Sequence, residues 1–257
     1  MGYVKSNGKD YSAIPFEFRT TLNQFPRYNN NNKFGYNNSV GTSQEEIWNV
    51  GGIEAYLSTA ERMNIVSTSV EDDADKNPAG TGAYTLTIFG LNNDWEEISE
   101  TVTLNGQSNV LTTNSYLRVF RMVVNSAGSS GSNVGTITST ASISSSVHAQ
   151  INPTDNQTLK INFSIPFDKY GIITHAEIGC AKSDDCEIRF KVRPFGEVFQ
   201  TKRLLNFFQS TVSFSNIIPI LLPPKSDITI TALSAAGGVK VSANIDYYLI
   251  DSREVTG

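Results

Sequence analysis

The side chains suited to chemistry fall into four small groups. Asp72, Asp73 and Asp75 crowd one loop, and Asp184 and Asp185 another. Hard oxygen ligands on a flexible loop suit Ca²⁺, so calcium is the one ion worth naming, with Asp72, Asp73 and Asp75 as weak candidate ligands. That loop lacks the Asp-x-Asn/Asp-x-Asp-Gly order of a calcium loop, and acidic loop tips are usually only solvated, so no metal or cofactor is expected. Glu96, Glu97 and Glu100 surround Trp95, a pairing that also occurs in sugar-binding and glycosidase clefts. Glycoside cleavage needs two carboxylates flanking one bond. Adjacent strand residues point to opposite faces, so the plainer reading is a solvated edge with one packed indole. His148 and His175 are the only histidines, and neither has Ser, Cys or Asp at motif spacing. A triad assembles in space, so spacing alone does not exclude one, but no Gly-x-Ser-x-Gly elbow is present. Cys180 and Cys186 leave two readings open: a bridge, if the flanking strands pair and bring their Cβ atoms together, or ordinary thiols in a hairpin. Two cysteines and distant histidines do not complete a zinc site. No Gly-rich phosphate loop or aromatic-interleaved basic patch occurs, and the expectation is a protein that is not an enzyme.

Composition narrows the partners. The 257 residues suffice for a sizeable core in one or two domains. The chain is 39% hydrophobic and 18% charged, and the remainder is largely Asn, Ser, Thr and Gly. That mixture favours strands and hydrogen-bonding loops, because Ser, Thr and Asn compete with the helical backbone and Gly raises its entropy cost. A formal net charge of -5 opposes binding to nucleic acid. No run of eighteen apolar residues exists, and Met1–Asp10 has no apolar signal-peptide core, so no membrane partner is expected. Gly2 with Ser6 fits the loose myristoylation pattern, but nothing nearby is polybasic.

Alternation must position these groups. Tyr84, Leu86 and Ile88 share one face and Thr85 and Thr87 the other; Val102 and Leu104 repeat the pattern. Asn105-Gly106 predicts a type I′ hairpin turn. Tyr116 to Val124 is apolar on both faces, which predicts a central strand, with Arg118 and Arg121 exceptional. Leu159 to Ile165, Ile188 to Val192 and Val241 to Leu249 alternate as well, with breaks at Pro194-Phe-Gly196 and Pro223-Pro224. The prediction is an all-β chain of β-sandwich or jelly-roll type, with two packed sandwiches as a variant and a subdivision near 146–152.

Residues 1–45 read differently from the body at 46–257. Asn29 to Asn38 is a polar tract following Pro15, Phe16, Phe18, Phe25 and Pro26. A segment so poor in periodic apolar residues cannot fold on its own core. It reads either as a flexible terminus or as an extended arm that orders against a neighbouring subunit, with Phe16, Phe18, Phe25, Phe34 and Tyr36 as its partner-binding anchors.

Several segments carry a resemblance: Ala79 to Leu91, Glu97 to Gly106, Thr112 to Arg118 and Ser126 to Ile137, then Asn156 to Leu159, Ile165-Pro166, Val192 to Gly196 and Phe199 to Arg203. Over roughly residues 60 to 250 the chain resembles virion structural proteins of tailed bacteriophages, especially marine ones, of the capsid-associated or decoration type. It departs from them at Phe167 to Gly171, where relatives often have an Ala-Gly-Lys turn. The shared motifs are turns and strand edges, so the resemblance implies a place and no chemistry. It implies a particle component assembled in the host cytoplasm, contacting the major capsid protein or neighbouring copies as a homo-oligomer. Gln44 to Asn64 has helical spacing interrupted by Gly51-Gly52, but the resemblance implies strand or turn there, with a short helical turn at Ser58 to Arg62. Alternative readings are a tail, neck or fibre component, and a carbohydrate-binding module using Trp95, Tyr84 and the Asp loops for host-surface attachment. A polysaccharide-degrading enzyme ranks last.

Overall fold

In the computed structural model, residues 14–181 and 185–254 are described, and Asp184 lies outside them. A six-residue helix, α1 (Phe16–Thr21), precedes strands β1 (Tyr28–Val40) and β2 (Glu45–Glu46). Seven strands follow: β3 (Glu61–Ser67), β4 (Ala83–Leu91), β5 (Glu97–Thr103), β6 (Val110–Tyr116), β7 (Arg118–Ala127), β8 (Ile137–Ala141) and β9 (Val147–Ile151). The last seven are β10 (Phe163–Ser164), β11 (Lys169–Cys180), β12 (Asp185–Arg193), β13 (Gln200–Phe208), β14 (Thr211–Leu222), β15 (Asp227–Ser234) and β16 (Val239–Asp251). The all-β prediction holds.

The strands build two sandwiches. In one, the sheet β6-β3-β8-β9 faces the sheet β5-β4-β7 across a core of Met63, Leu86, Ile88, Met122 and Ile137. In the other, β1-β16-β11-β14 faces β10-β15-β12-β13 across Ile173, Ile188, Phe190, Ile230 and Ile245, and β2 adds to β15. Counting only β1 and β10 to β16, successive strands alternate between the two sheets except at the β12–β13 hairpin, and the orders become 1-8-3-6 and 2-7-4-5. That is the eight-stranded jelly roll. The first sandwich is an insertion between its first and second strands. The chain leaves the jelly roll after Trp48 and returns at Lys160, and these two residues bridge each other.

Several local expectations change. Tyr28–Val40, read from sequence as part of an arm, is paired with β16 from Tyr28↔Ile250 to Val40↔Val239. Polar side chains do not prevent this, because β16 supplies the apolar alternation and backbone pairing requires none from its partner. Lys33, Gly35 and Asn37 face inward, and a Cβ on Gly35 would lie 2.2 Å from the Ile47 carbonyl oxygen. Asn105-Gly106 does turn, with the Ser108 amide donating to the Asn105 carbonyl at 2.9 Å, but only Gly106 is left-handed. The turn carries the chain from β5 in one sheet to β6 in the other, so it closes no hairpin. Likewise β7 is the last strand of its sheet, its outer side met, among the described residues, only by a short bridge in which Val123 pairs with Gln157. Its second apolar face exists because Phe120 packs against the jelly-roll core. No helical turn forms at residues 58–62.

Candidate functional site

The predicted anchors divide into two groups. Phe16 packs against Phe25, Tyr28 and Tyr248 at ring-centroid distances of 5.2, 5.6 and 5.7 Å. This docks α1 on the outer face of the jelly roll and leaves Phe18 61% and Leu22 62% exposed. Phe34 and Tyr36 are not in that cluster. They are partly buried on β1, and the Arg121 guanidinium stands 5.7 Å from the Phe34 ring centroid. At the opposite edge, among the described residues, β13 and β14 each pair on one side only, and Leu204, Phe208 and Leu221 are exposed.

The acidic loop is inward-looking. Asp72 is buried, and its carboxylate accepts from the Ala83, Val134 and Gly135 amides at 2.7 to 2.9 Å and from the Ser67 hydroxyl at 2.5 Å. It closes its own loop between β3 and β4 and ties it to the β7–β8 connection. Asp73 accepts from the Asp75 amide at 2.8 Å. Among the described residues no cluster of three His, Cys, Asp or Glu could hold a metal ion. The carboxylates near Trp95 also diverge. Glu96 accepts from Asn92 Nδ2 at 2.8 Å, while Glu100 takes the Thr113 and Asn114 amides at 2.6 and 2.8 Å. Tyr84 is committed to the Gly80 carbonyl at 2.7 Å.

Buried charge collects where the sandwiches meet. Arg118 of β7 donates through Nε and Nη2 to Asp227 of β15 at 2.7 and 3.1 Å. Arg193 of β12 donates to the same carboxylate at 3.0 and 2.5 Å, as does Ser164 at 2.5 Å. The Arg118 guanidinium stands 5.1 Å from both the Tyr56 and Trp95 ring centroids. That of Arg193 lies 4.4 Å from Tyr56 and 4.7 Å from Phe199. Guanidinium and aromatic groups therefore alternate across the seam, which suits a weakly hydrated planar cation. The Arg118 signal was visible as a cation in an apolar strand. Its partner Asp227 lies 109 positions away, beyond any local spacing rule.

A second cluster centres on Glu54. Its Oε1 accepts from Lys160 Nζ at 2.6 Å and lies 3.1 Å from His148 Nδ1, while Oε2 accepts from Asn162 at 3.0 Å. Burial pushes the Glu54 carboxyl up, but Lys160 and His148 outweigh it and hold it at about 2. Burial keeps nearby Glu46 above its ordinary range, with the Glu54 charge adding to the effect. His148 Nε2 lies 2.9 Å from Ser146 Oγ, so Ser146, His148 and Glu54 have the connectivity of a hydrolase triad. Two neighbours turn it to structure. Lys160 already neutralises Glu54, and the paired Ile143 and Ser144 amides nearby are spent on the Glu61 carboxylate at 2.7 and 3.0 Å. His175 is partly buried and lies 3.3 Å from both Ser213 and Ser215 hydroxyls of β14.

Cys180 and Cys186 are both free thiols in the jelly-roll core. Their flanking strands are not a hairpin, since β11 and β12 belong to opposite sheets. Burial, and then Cys180 beside it, pushes the Cys186 thiol up to about 12.

No protein-family model matches the chain, and no curated protein matches it. Among solved structures it is similar to the infectious bursal disease virus VP2 subviral particle, at 10% identity over 93% of this chain and 78% of that one, with TM-score 0.21. The infectious bursal disease virus Gt strain structure matches at 9% identity over 94% and 88%, with TM-score 0.14. Scores this low do not argue a common topology.

Proposed function

We propose that this chain is a non-enzymatic structural component of a tailed-phage particle, capsid-associated and decorating the head. The observation that carries this reading is the jelly roll with an open lateral edge: among the described residues, β13 and β14 have unpaired outer sides and expose Leu204, Phe208 and Leu221. Jelly rolls serve in viral capsids and in lectins alike, so fold alone does not decide. The resemblance of residues 60–250 to virion proteins favours the first. Assembly then buries apolar surface in two places. A neighbouring subunit covers the β13–β14 edge by adding a strand, and another contact covers Phe18 and Leu22.

The test is incorporation. Particles assembled with wild-type chain, with Phe18→Asp plus Leu22→Asp, or with Leu204→Lys plus Leu221→Lys are banded on a density gradient and the chain is quantified. Both double variants are expected to stay soluble and folded but to leave the particle band. Normal incorporation of both would overturn the assembly reading.

A further inference from the structure

The seam between the sandwiches opens into a cleft of about 520 Å³. That volume lies within the range of small-ligand sites. Its floor is the Arg118, Asp227 and Arg193 cluster, and its mouth carries Phe195, Glu197 and Lys225. Three cations thus face two carboxylates, leaving a positive site on a chain whose net charge is -5. Among the described residues, no acceptor meets Nη1 of Arg193, and no carboxylate pairs with the Lys225 ammonium, which stands 5.2 Å from the Phe195 ring centroid. The Phe195 ring leans edge-on against Trp95 at 5.8 Å and is 63% exposed. Two lining residues hold left-handed backbone without being glycine, Trp95 at φ 65° and Lys225 at φ 59°. Such conformations are strained and concentrate at ligand sites. Asn92 secures the first by accepting from the Asp94 and Glu96 amides at 2.9 and 3.0 Å.

We propose that this cleft binds a carboxylated saccharide. A sugar carboxylate meets Arg193 and Lys225, where a planar guanidinium and an unpaired ammonium offer charge-assisted hydrogen bonds. The apolar face of the ring packs on Phe195, and the hydroxyls reach Asn93, Ser58 and Glu197 at the rim. A phosphate would satisfy the cations but leave the exposed surface of the Phe195 ring in water. None of the residues that line it is among the exposed apolar residues of the assembly surfaces, Phe18, Leu22, Leu204, Phe208 and Leu221.

The experiment is titration calorimetry on the full chain with three probes: tetragalacturonate, its methyl ester, and a tetraglutamate peptide. Tetragalacturonate is expected to bind, the methyl ester to bind at least tenfold more weakly, and the peptide not to bind measurably. Lys225→Gln and Phe195→Ala, both at the cleft mouth, are expected to weaken tetragalacturonate at least fivefold with unchanged thermal unfolding. Absence of tetragalacturonate binding at millimolar concentration would overturn the proposal. So would unchanged affinity in both variants, or peptide binding as tight as the sugar.

Discussion

Arg118 and Asp227 tie the inserted sandwich to the jelly roll through a two-point ion pair at 2.7 and 3.1 Å, both side chains being buried. Asp227 serves two guanidiniums, so its removal strands the buried Arg118 and the partly exposed Arg193. Asp227→Asn is expected to lower unfolding free energy by about 3–5 kcal/mol, the usual consequence of breaking a buried pair from one side. Arg118→Met combined with Asp227→Leu is expected to lose less than Asp227→Asn, because the buried cation departs with the carboxylate and only the partly exposed Arg193 is left unpaired. Urea unfolding of the three proteins checks the order.

Glu54 makes acid stability specific. Its folded carboxyl is held at about 2, below the ordinary 4.5, so its contribution is present above that ordinary value and is lost as pH falls through about 2. The difference corresponds to roughly 3 kcal/mol as an order of magnitude. Glu46, raised by burial, acts in the opposite sense, its contribution declining as pH rises above the ordinary range. Glu54→Gln is expected to cost about 3–5 kcal/mol at pH 7, since Lys160 loses its carboxylate, and to flatten the loss of stability between pH 4.5 and 2. Urea midpoints measured across that interval decide it.

Strand β1 is part of the jelly roll, which changes what a truncation should do. Removing residues 1–24 leaves β1 intact and is expected to give a soluble, folded protein. Removing 1–45 strips β16 of its partner from Tyr28 to Val40 and is expected to give aggregated material. Gly35→Ala, which drives a Cβ into the Ile47 carbonyl and the Ile161 backbone, should cost about 1–3 kcal/mol. Sedimentation and thermal unfolding read both outcomes.

The two cysteines should be chemically silent in the native state. Both are buried, and the Cys186 thiol is pushed up to about 12, so little thiolate exists to react. A thiol-specific chromogenic disulfide at pH 8 is expected to label neither in buffer and both in denaturant. Rapid native labelling would contradict the packing of β11 against β12.

Much of the fold was legible because period-two alternation is local. Leu86 and Ile88, Ile188 to Val192 and Val241 to Leu249 all point into cores as their spacing requires. What spacing could not convey was sheet membership. The Asn105-Gly106 turn and the Cys180–Cys186 connection each cross between sheets, and nothing in turn chemistry distinguishes a crossing from a hairpin. Polar β1 hid its strand character because its partner carries the apolar pattern. At the seam, Arg118 advertised itself as a charge among apolar residues, and Trp95 as an aromatic among carboxylates. Their joint site depends on Tyr56, Arg193 and Asp227, brought in from three distant segments.

The most direct measurement is a cryo-electron microscopy reconstruction of the intact particle with this chain placed in the map. The account predicts the double-sandwich shape at regular positions on the head, with β13–β14 and the Phe18–Leu22 surface against neighbouring subunits. Particles that lack the chain, or that carry it with both surfaces in solvent, would contradict it.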